Sequence, residues 1–182
     1  MTPRPMGGGA VPGVSVVLVP HEPRWVQDFE NTAEALAKAF EPMAVHIEHV
    51  GSTAVPGLLA KPIIDVLLGA RSLLDIEARQ SRLQALGYRY KPQYEATLPD
   101  RRYFVLDATL NAPRVNLHAV VAGGPFWHDH LAFRNALRAN AALAERYATL
   151  KRQLAERFPN DRSAYTDAKA PFVREVLAQQ RR

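Results

Sequence analysis

Gly51-Ser52, Lys61 and Asp65 are the residues whose types and spacing point to chemistry. Glu48-His49-Val50 reads as the end of an extended segment. The small residues after it leave backbone N–H groups free to approach an anion. Twelve residues separate Ser52 from Asp65, the one charge in the apolar run Ile63–Leu68. A carboxylate inside such a run needs a cation, hydrogen-bond donors or a metal. Lys61, four residues earlier, is placed either to meet a phosphate or to neutralise Asp65. The pattern therefore allows a phosphate cradle beside a ligand-binding or metal-binding carboxylate. A tight turn followed by a structural Asp–Lys pair is the competing reading.

Further candidates lie outside this stretch. His49 and His118 sit on predicted strands beside the loop and are candidate site residues. Arg134 and Arg138 are one helical turn apart and, with Lys151, could clamp phosphate from a helical side. Solvated faces, or an ion pair with Glu145, are the alternative. His128-Asp129-His130 has metal-like composition, but helical residues two apart do not face one another, so it reads as a helix N-terminus. Tyr165 and Lys169 read as packing plus a surface charge, and Trp25 and Trp127 as core.

These residues need a scaffold, and the hydrophobic pattern supplies one. Val26, Phe29, Ala33, Leu36 and Phe40 make one apolar stripe over Pro23–Phe40, predicting a helix. Val16–Val19, Ala44–Val50, Ile63–Leu68, Tyr88–Tyr94, Arg102–Ala108 and Arg114–Val121 predict strands, the last two joined as a hairpin through Thr109–Pro113. Ser72 caps a predicted helix running to Leu86 and stopped by Gly87. From Phe126 onward the pattern is helical, with a stripe at Leu143, Tyr147, Leu150, Leu154 and Phe158, and a last helix from Ser163 broken at Pro171. The fold class is α+β: a mixed sheet with flanking helices and a helical C-terminal region. Residues 1–13, rich in Gly and Pro, are expected to be disordered, and 14–182 to form one domain.

Composition removes several functions. With no Cys among 182 residues there is no thiolate zinc site, iron–sulfur cluster or cysteine nucleophile. No apolar stretch reaches the roughly 20 residues of a membrane helix, so no membrane partner and a cytoplasmic location are expected. The charge is uneven. Residues 1–75 hold five basic and eight acidic side chains, whereas residues 76–182 hold 18 and 10. The Arg-rich second half suits an anionic ligand or simply solvated helices. Without a basic run or interleaved aromatics, nucleic acid is not an expected partner.

The stretch His49-Val50-Gly51-Ser52-Thr53-Ala54-Val55-Pro56-Gly57-Leu58, followed by Lys61-Pro62-Ile63-Ile64-Asp65, resembles the signature of the GrpB family (UPF0157-like). The segments Pro23-Arg24-Trp25, Leu117-His118, Phe133–Arg138, Tyr147–Lys151 and Tyr165–Lys169 extend the likeness over most of the chain. More widely, Gly-Ser, a dozen residues and an Asp in a hydrophobic strand are similar to the nucleotidyltransferase fold of the polymerase-beta-like superfamily.

That resemblance implies a nucleotidyltransferase-like mixed sheet whose Gly-Ser backbone grips a nucleotide phosphate. It also implies Asp65 as a catalytic carboxylate that binds Mg²⁺. In active members a second carboxylate two residues on, and a third on a neighbouring strand, complete the metal site. Here Leu67 stands at the second place, and His118 or Asp107 at the third, so the acidic triad is incomplete. A variant site drawing on Glu48, Asp107 or His118 is one outcome, and a module that binds but transfers nothing is the other. The implied ligand contacts are His49, Gly51, Ser52, Lys61, His118, Arg134 and Lys151. The implied partner is a nucleotide or other phosphorylated small molecule. The family's occasional fusion to dephospho-CoA kinase links the non-transferring reading to coenzyme A metabolism.

Overall fold

The computed structural model describes residues 15–181, and the expected disordered segment 1–13 lies outside the described residues. Strand β2 (Ile63–Ala70) organises the architecture, because every one of its residues is buried except Asp65, which keeps partial access to solvent. A run apolar on both faces can be satisfied only between two layers. β2 pairs antiparallel with β1 (His46–Val50) and parallel with β5 (Arg114–Val121). β4 (Arg101–Leu106) forms the expected antiparallel hairpin with β5, and the two-residue β3 (Arg89–Tyr90) closes the sheet in the order β1-β2-β5-β4-β3.

One sheet face carries Ile64, Val66, Leu68, Leu117 and Ala119, which pack against Trp25, Leu36 and Phe40 of α1 (Arg24–Phe40). Ile76 of α2 (Leu73–Glu77) and Leu83 of α3 (Gln80–Ala85) complete that layer. The other face carries Val50, Leu67 and Val120 against Trp127 of α4 (Pro125–Ala139). Gly69 makes this contact possible, since a Cβ there would lie 2.7 Å from the Trp127 ring. Three further helices, α5 (Ala141–Arg157), α6 (Arg162–Asp167) and α7 (Ala170–Gln180), build the C-terminal region, with Pro171 in the first turn of α7. Period-2 alternation thus gives the sheet two different faces: one mostly apolar against α1, the other with Asp65 in its midst.

Three local expectations are corrected. Val16–Val19 forms no ladder: only Val19 bridges to Ala60, while the Val16 amide donates to Pro159 O at 2.7 Å. The helix expected from Ser72 to Leu86 is divided at Ala78-Arg79. From this bend Arg79 and Arg82 donate to the carbonyls of Ala39 and Glu41 at the end of α1. The strand expected over Tyr88–Tyr94 stops at Tyr90, because Pro92, which lacks an N–H, starts a 3-10 turn.

Candidate functional site

The site begins where β1 ends. Val50 pairs with Asp65 across the sheet, and the chain then turns through Gly51 at φ 74° into a 3-10 turn over Ser52–Ala54. A Cβ on residue 51 would lie 2.5 Å from Asp65 Oδ2 and 3.0 Å from Asp65 Cβ. Both the left-handed backbone and the neighbouring carboxylate therefore require glycine.

Asp65 is held by β5. Asn116 Nδ2 donates to Asp65 Oδ1 at 2.9 Å, and Arg114 Nε donates to Asn116 Oδ1 at 3.2 Å, which fixes the amide's orientation. His118 Nε2 lies 3.7 Å from the same carboxylate oxygen. Arg101 Nη1 donates to His118 Nδ1 at 3.1 Å. Since a guanidinium can only donate, this assigns the proton of neutral His118 to Nε2, facing Asp65. Tyr103 stacks on the imidazole, and the Arg101 guanidinium lies over the rings of Tyr103 and Phe126. Burial alone would raise the Asp65 carboxyl. His118, Asn116 and Lys61 outweigh it and hold the group below the usual carboxylate value, so Asp65 is ionised at neutral pH. His130, from the His-Asp-His segment, faces this cluster 6.0 Å from His118, and burial lowers it to about 4.

Cations come from the opposite side. Lys151 of α5 is only 1% exposed; its Nζ donates to Ser52 Oγ at 3.1 Å and to the Leu59 carbonyl, and lies over the Tyr147 ring. Burial, with Lys169, Arg152 and Lys61 nearby, lowers Lys151 to about 7. Lys61 and Lys169 both lie over the Tyr165 ring, at 5.1 and 4.6 Å from its centroid. Burial, followed by the charge of Lys61, lowers Lys169 to about 8, and burial and Arg162 lower Lys61. Among the described residues the only lysine in an ion pair is Lys38, with Glu34 on α1. Among the described residues, none of the three site lysines has a carboxylate in contact.

The sequence candidates divide between two places. Gly51, Ser52, Lys61, Asp65, His118 and Lys151 are brought together. His49 and Arg134 are not. Strand alternation turns His49 to the α1 layer, where it stacks on Phe29 and bonds Thr53 Oγ1 at 3.0 Å; burial lowers it to about 4. Arg134 donates to Glu48 Oε2 at 2.6 Å and to His49 O at 2.9 Å, and Arg138 donates to Ala54 O. These residues border a separate cavity of about 310 Å³ beside β1. Sequence reasoning missed Asn116, Arg101, Tyr103 and Tyr147, and placed Tyr165 and Lys169 outside the site. The one available signal was the Tyr165–Lys169 spacing of a single helical turn.

The donor set does not fit Mg²⁺. That ion takes oxygen ligands in an octahedron, usually including one or two carboxylates. Leu67, at the second acidic place, is fully buried with Val50, Val120 and Trp127. Asp107 is engaged by Arg89 and Arg114, and Glu48 by Arg134. Among the described residues no three His, Asp or Glu side chains come together as a metal site. Asp65 is left with an amide nitrogen, an imidazole N–H and lysines around it.

Most of this chain, in sequence and in fold, is similar to known proteins. A family profile described as "GrpB protein" matches residues 15–179. The chain belongs to the GrpB family. It is 36% identical over 165 residues to the glutamate-rich protein GrpB of Alkalihalophilus pseudofirmus, covering 89% of this chain and 94% of that one. Among solved structures, that of conserved protein GrpB from Enterococcus faecalis aligns with a TM-score of 0.79 at 33% identity, covering 90% of this chain and 96% of the other. A dephospho-CoA kinase of Mycolicibacterium paratuberculosis is 29% identical over 182 residues, covering 88% of this chain but only 45% of the kinase. No helix among the described residues is long and apolar enough to cross a membrane.

Proposed function

We propose that this GrpB-family chain binds a nucleotide or another phosphorylated metabolite, with phosphate received between the Gly51-Ser52 turn and Lys61, Lys151 and Lys169. The observation that carries the reading is Lys151. It is an almost fully buried lysine on Ser52 Oγ with no carboxylate in contact. Burying an ammonium without a counter-ion is costly, and an arriving anion removes that cost. Ser52 Oγ and the small turn supply a hydroxyl and close backbone approach, as the nucleotidyltransferase resemblance implies. In this reading Asp65 orients the turn and, through its free oxygen, can accept a ligand hydroxyl. It does not assemble Mg²⁺ for nucleotidyl transfer, because Leu67 offers no ligand.

A second reading narrows the metabolite. Relatives named dephospho-CoA kinase contain a segment like this chain joined to further sequence. A ligand from coenzyme A metabolism would place this module beside an enzyme of the same chemistry.

Isothermal titration with ATP, CTP, GTP, UTP and coenzyme A precursors, each with and without Mg²⁺, tests both readings. The expected result is metal-independent binding that Lys151→Met abolishes and that survives Asp65→Ala. Binding that strictly requires Mg²⁺ and disappears in Asp65→Ala would support transfer instead. No binding to any of these compounds would overturn the proposal.

A further inference from the structure

We infer that the group this site selects is a terminal phosphate monoester, a dianion with three free oxygens, in preference to a phosphodiester or a sulfate ester. The inference rests on the phosphate-binding reading above and narrows it to a class of ligand. It follows from the charges that face the turn. Lys61 comes from the loop before β2, Lys151 from α5, and Lys169 from the start of α7. Arg162 of α6 and Arg114 of β5 are close enough to act on Lys61.

Against these, Asp65 is the carboxylate that acts on Lys61 and Lys169. Asp107 is spent on Arg89 and Arg114. Asp65 has Oδ1 bonded by Asn116 and facing His118, and Oδ2 packed under Gly51. Arg162 Nε is buried without a hydrogen-bond partner. The three lysines and Arg162 therefore exceed the nearby unspent carboxylate, Asp65, by more than one charge. A diester or sulfate ester brings one negative charge and leaves several cations unmatched in a partly desolvated place. A monoester above its second ionisation, at about pH 6, brings nearly two.

Shape points the same way. The ammonium donors arrive from three separate elements, and Ser52 Oγ adds a fourth group. Three equivalent oxygens on one phosphorus can meet donors from three directions, whereas a diester has two such oxygens. The rings of Tyr147 and Tyr165 flank the ammonium groups and confine them, which favours one fixed tetrahedral guest over a mobile chain.

Titration at pH 7.5 with inorganic phosphate, phenyl phosphate, phenyl sulfate and methyl phenyl phosphate separates charge from shape. Phenyl phosphate and phenyl sulfate have nearly the same shape and differ in charge. Phenyl phosphate is expected to bind at least about tenfold tighter than the sulfate and the diester, equivalent to about 1.4 kcal/mol. Lys169→Met and Lys61→Met, each checked for an unchanged melting transition, are expected to narrow that gap. Equal affinity for the three esters would overturn the inference and leave phosphate binding standing. Binding of inorganic phosphate without phenyl phosphate would also overturn it, because the ester would then be excluded. If nucleotides bind but none of these four probes does, terminal-group selection is wrong. If neither nucleotides nor probes bind, the underlying reading fails as well.

Discussion

Asp65 Oδ2 occupies the space that a side chain at residue 51 would need, 2.5 Å from the position of a Cβ on Gly51. The carboxylate in the apolar strand and the glycine of the turn are thus two halves of one device. The glycine gives the backbone its φ of 74°, and its missing side chain leaves the space that the carboxylate fills.

Gly51→Ala is expected to destabilise the fold by about 2 kcal/mol or more, since the left-handed backbone alone costs an L-residue about 1–2 kcal/mol. Asp65→Gly in that background removes the contact and not the backbone strain, so part of the loss is recovered. Denaturant melts of the two single variants and the double variant measure this coupling. Purely additive effects would show that the two residues are independent.

Leu67→Asp rebuilds the missing acidic position on paper. It also buries a charge among Val50, Val120 and Trp127. The expected outcome is a loss of about 3 kcal/mol or more, or failure to fold, with no gain of Mg²⁺ binding. A stable variant that binds Mg²⁺ in a calorimeter would show that the site is a metal centre one residue short.

Ligand binding should depend on pH through the lysines. Lys151 and Lys169 sit at about 7 and about 8 in the free protein, so both lose charge as pH rises from 7 to 9. A phosphate monoester gains its second charge near pH 6. Phenyl phosphate affinity is therefore expected to peak near pH 7 and to fall at least about tenfold by pH 9 as the ammonium charge is lost. Lys169→Met, which keeps Lys151, should make the alkaline limb shallower. An affinity constant from pH 7 to 9.5 would contradict the assignment of charge to these lysines.

Arg134 provides the opposite control. It ties α4 to the end of β1 through Glu48 and the His49 carbonyl. Arg134→Met should cost about 1–2 kcal/mol of stability by leaving the buried His49 carbonyl unpaired, while phenyl phosphate affinity in the folded fraction stays unchanged. Lost affinity in a variant with wild-type stability would return Arg134 to the phosphate site.

The parts of this molecule legible in the sequence are those whose signal is local. The stripe from Val26 to Phe40 is a helix, and Asp65 stood out because one charge in the run Ile63–Leu68 contradicts its surroundings. The Gly51-Ser52 turn was legible for the same reason, small residues directly after an extended segment. What was hidden is tertiary. Tyr165 and Lys169 look like packing and surface on their own helices, and only the fold of the C-terminal region sets Lys169 and Lys61 on one ring. His49 and Arg134 went the other way. Alternation along β1 sends His49 to the α1 layer, and Arg134 follows its carbonyl to the sheet edge. Val16–Val19 has the composition of a strand, but its partners are Pro159 and Ala60, single contacts that no periodicity announces.

The central claim is that phosphate is received between the Gly51-Ser52 turn and the lysines. A crystal structure with phenyl phosphate bound, or with the tightest nucleotide from the titration, tests it most directly. Phosphate oxygens are expected within hydrogen-bond distance of Ser52 Oγ and Lys151 Nζ, with Lys61 and Lys169 turned towards the same group and no metal on Asp65. Phosphate found instead in the cavity bordered by Arg134 and Arg138, or held through Mg²⁺ on Asp65, would contradict it.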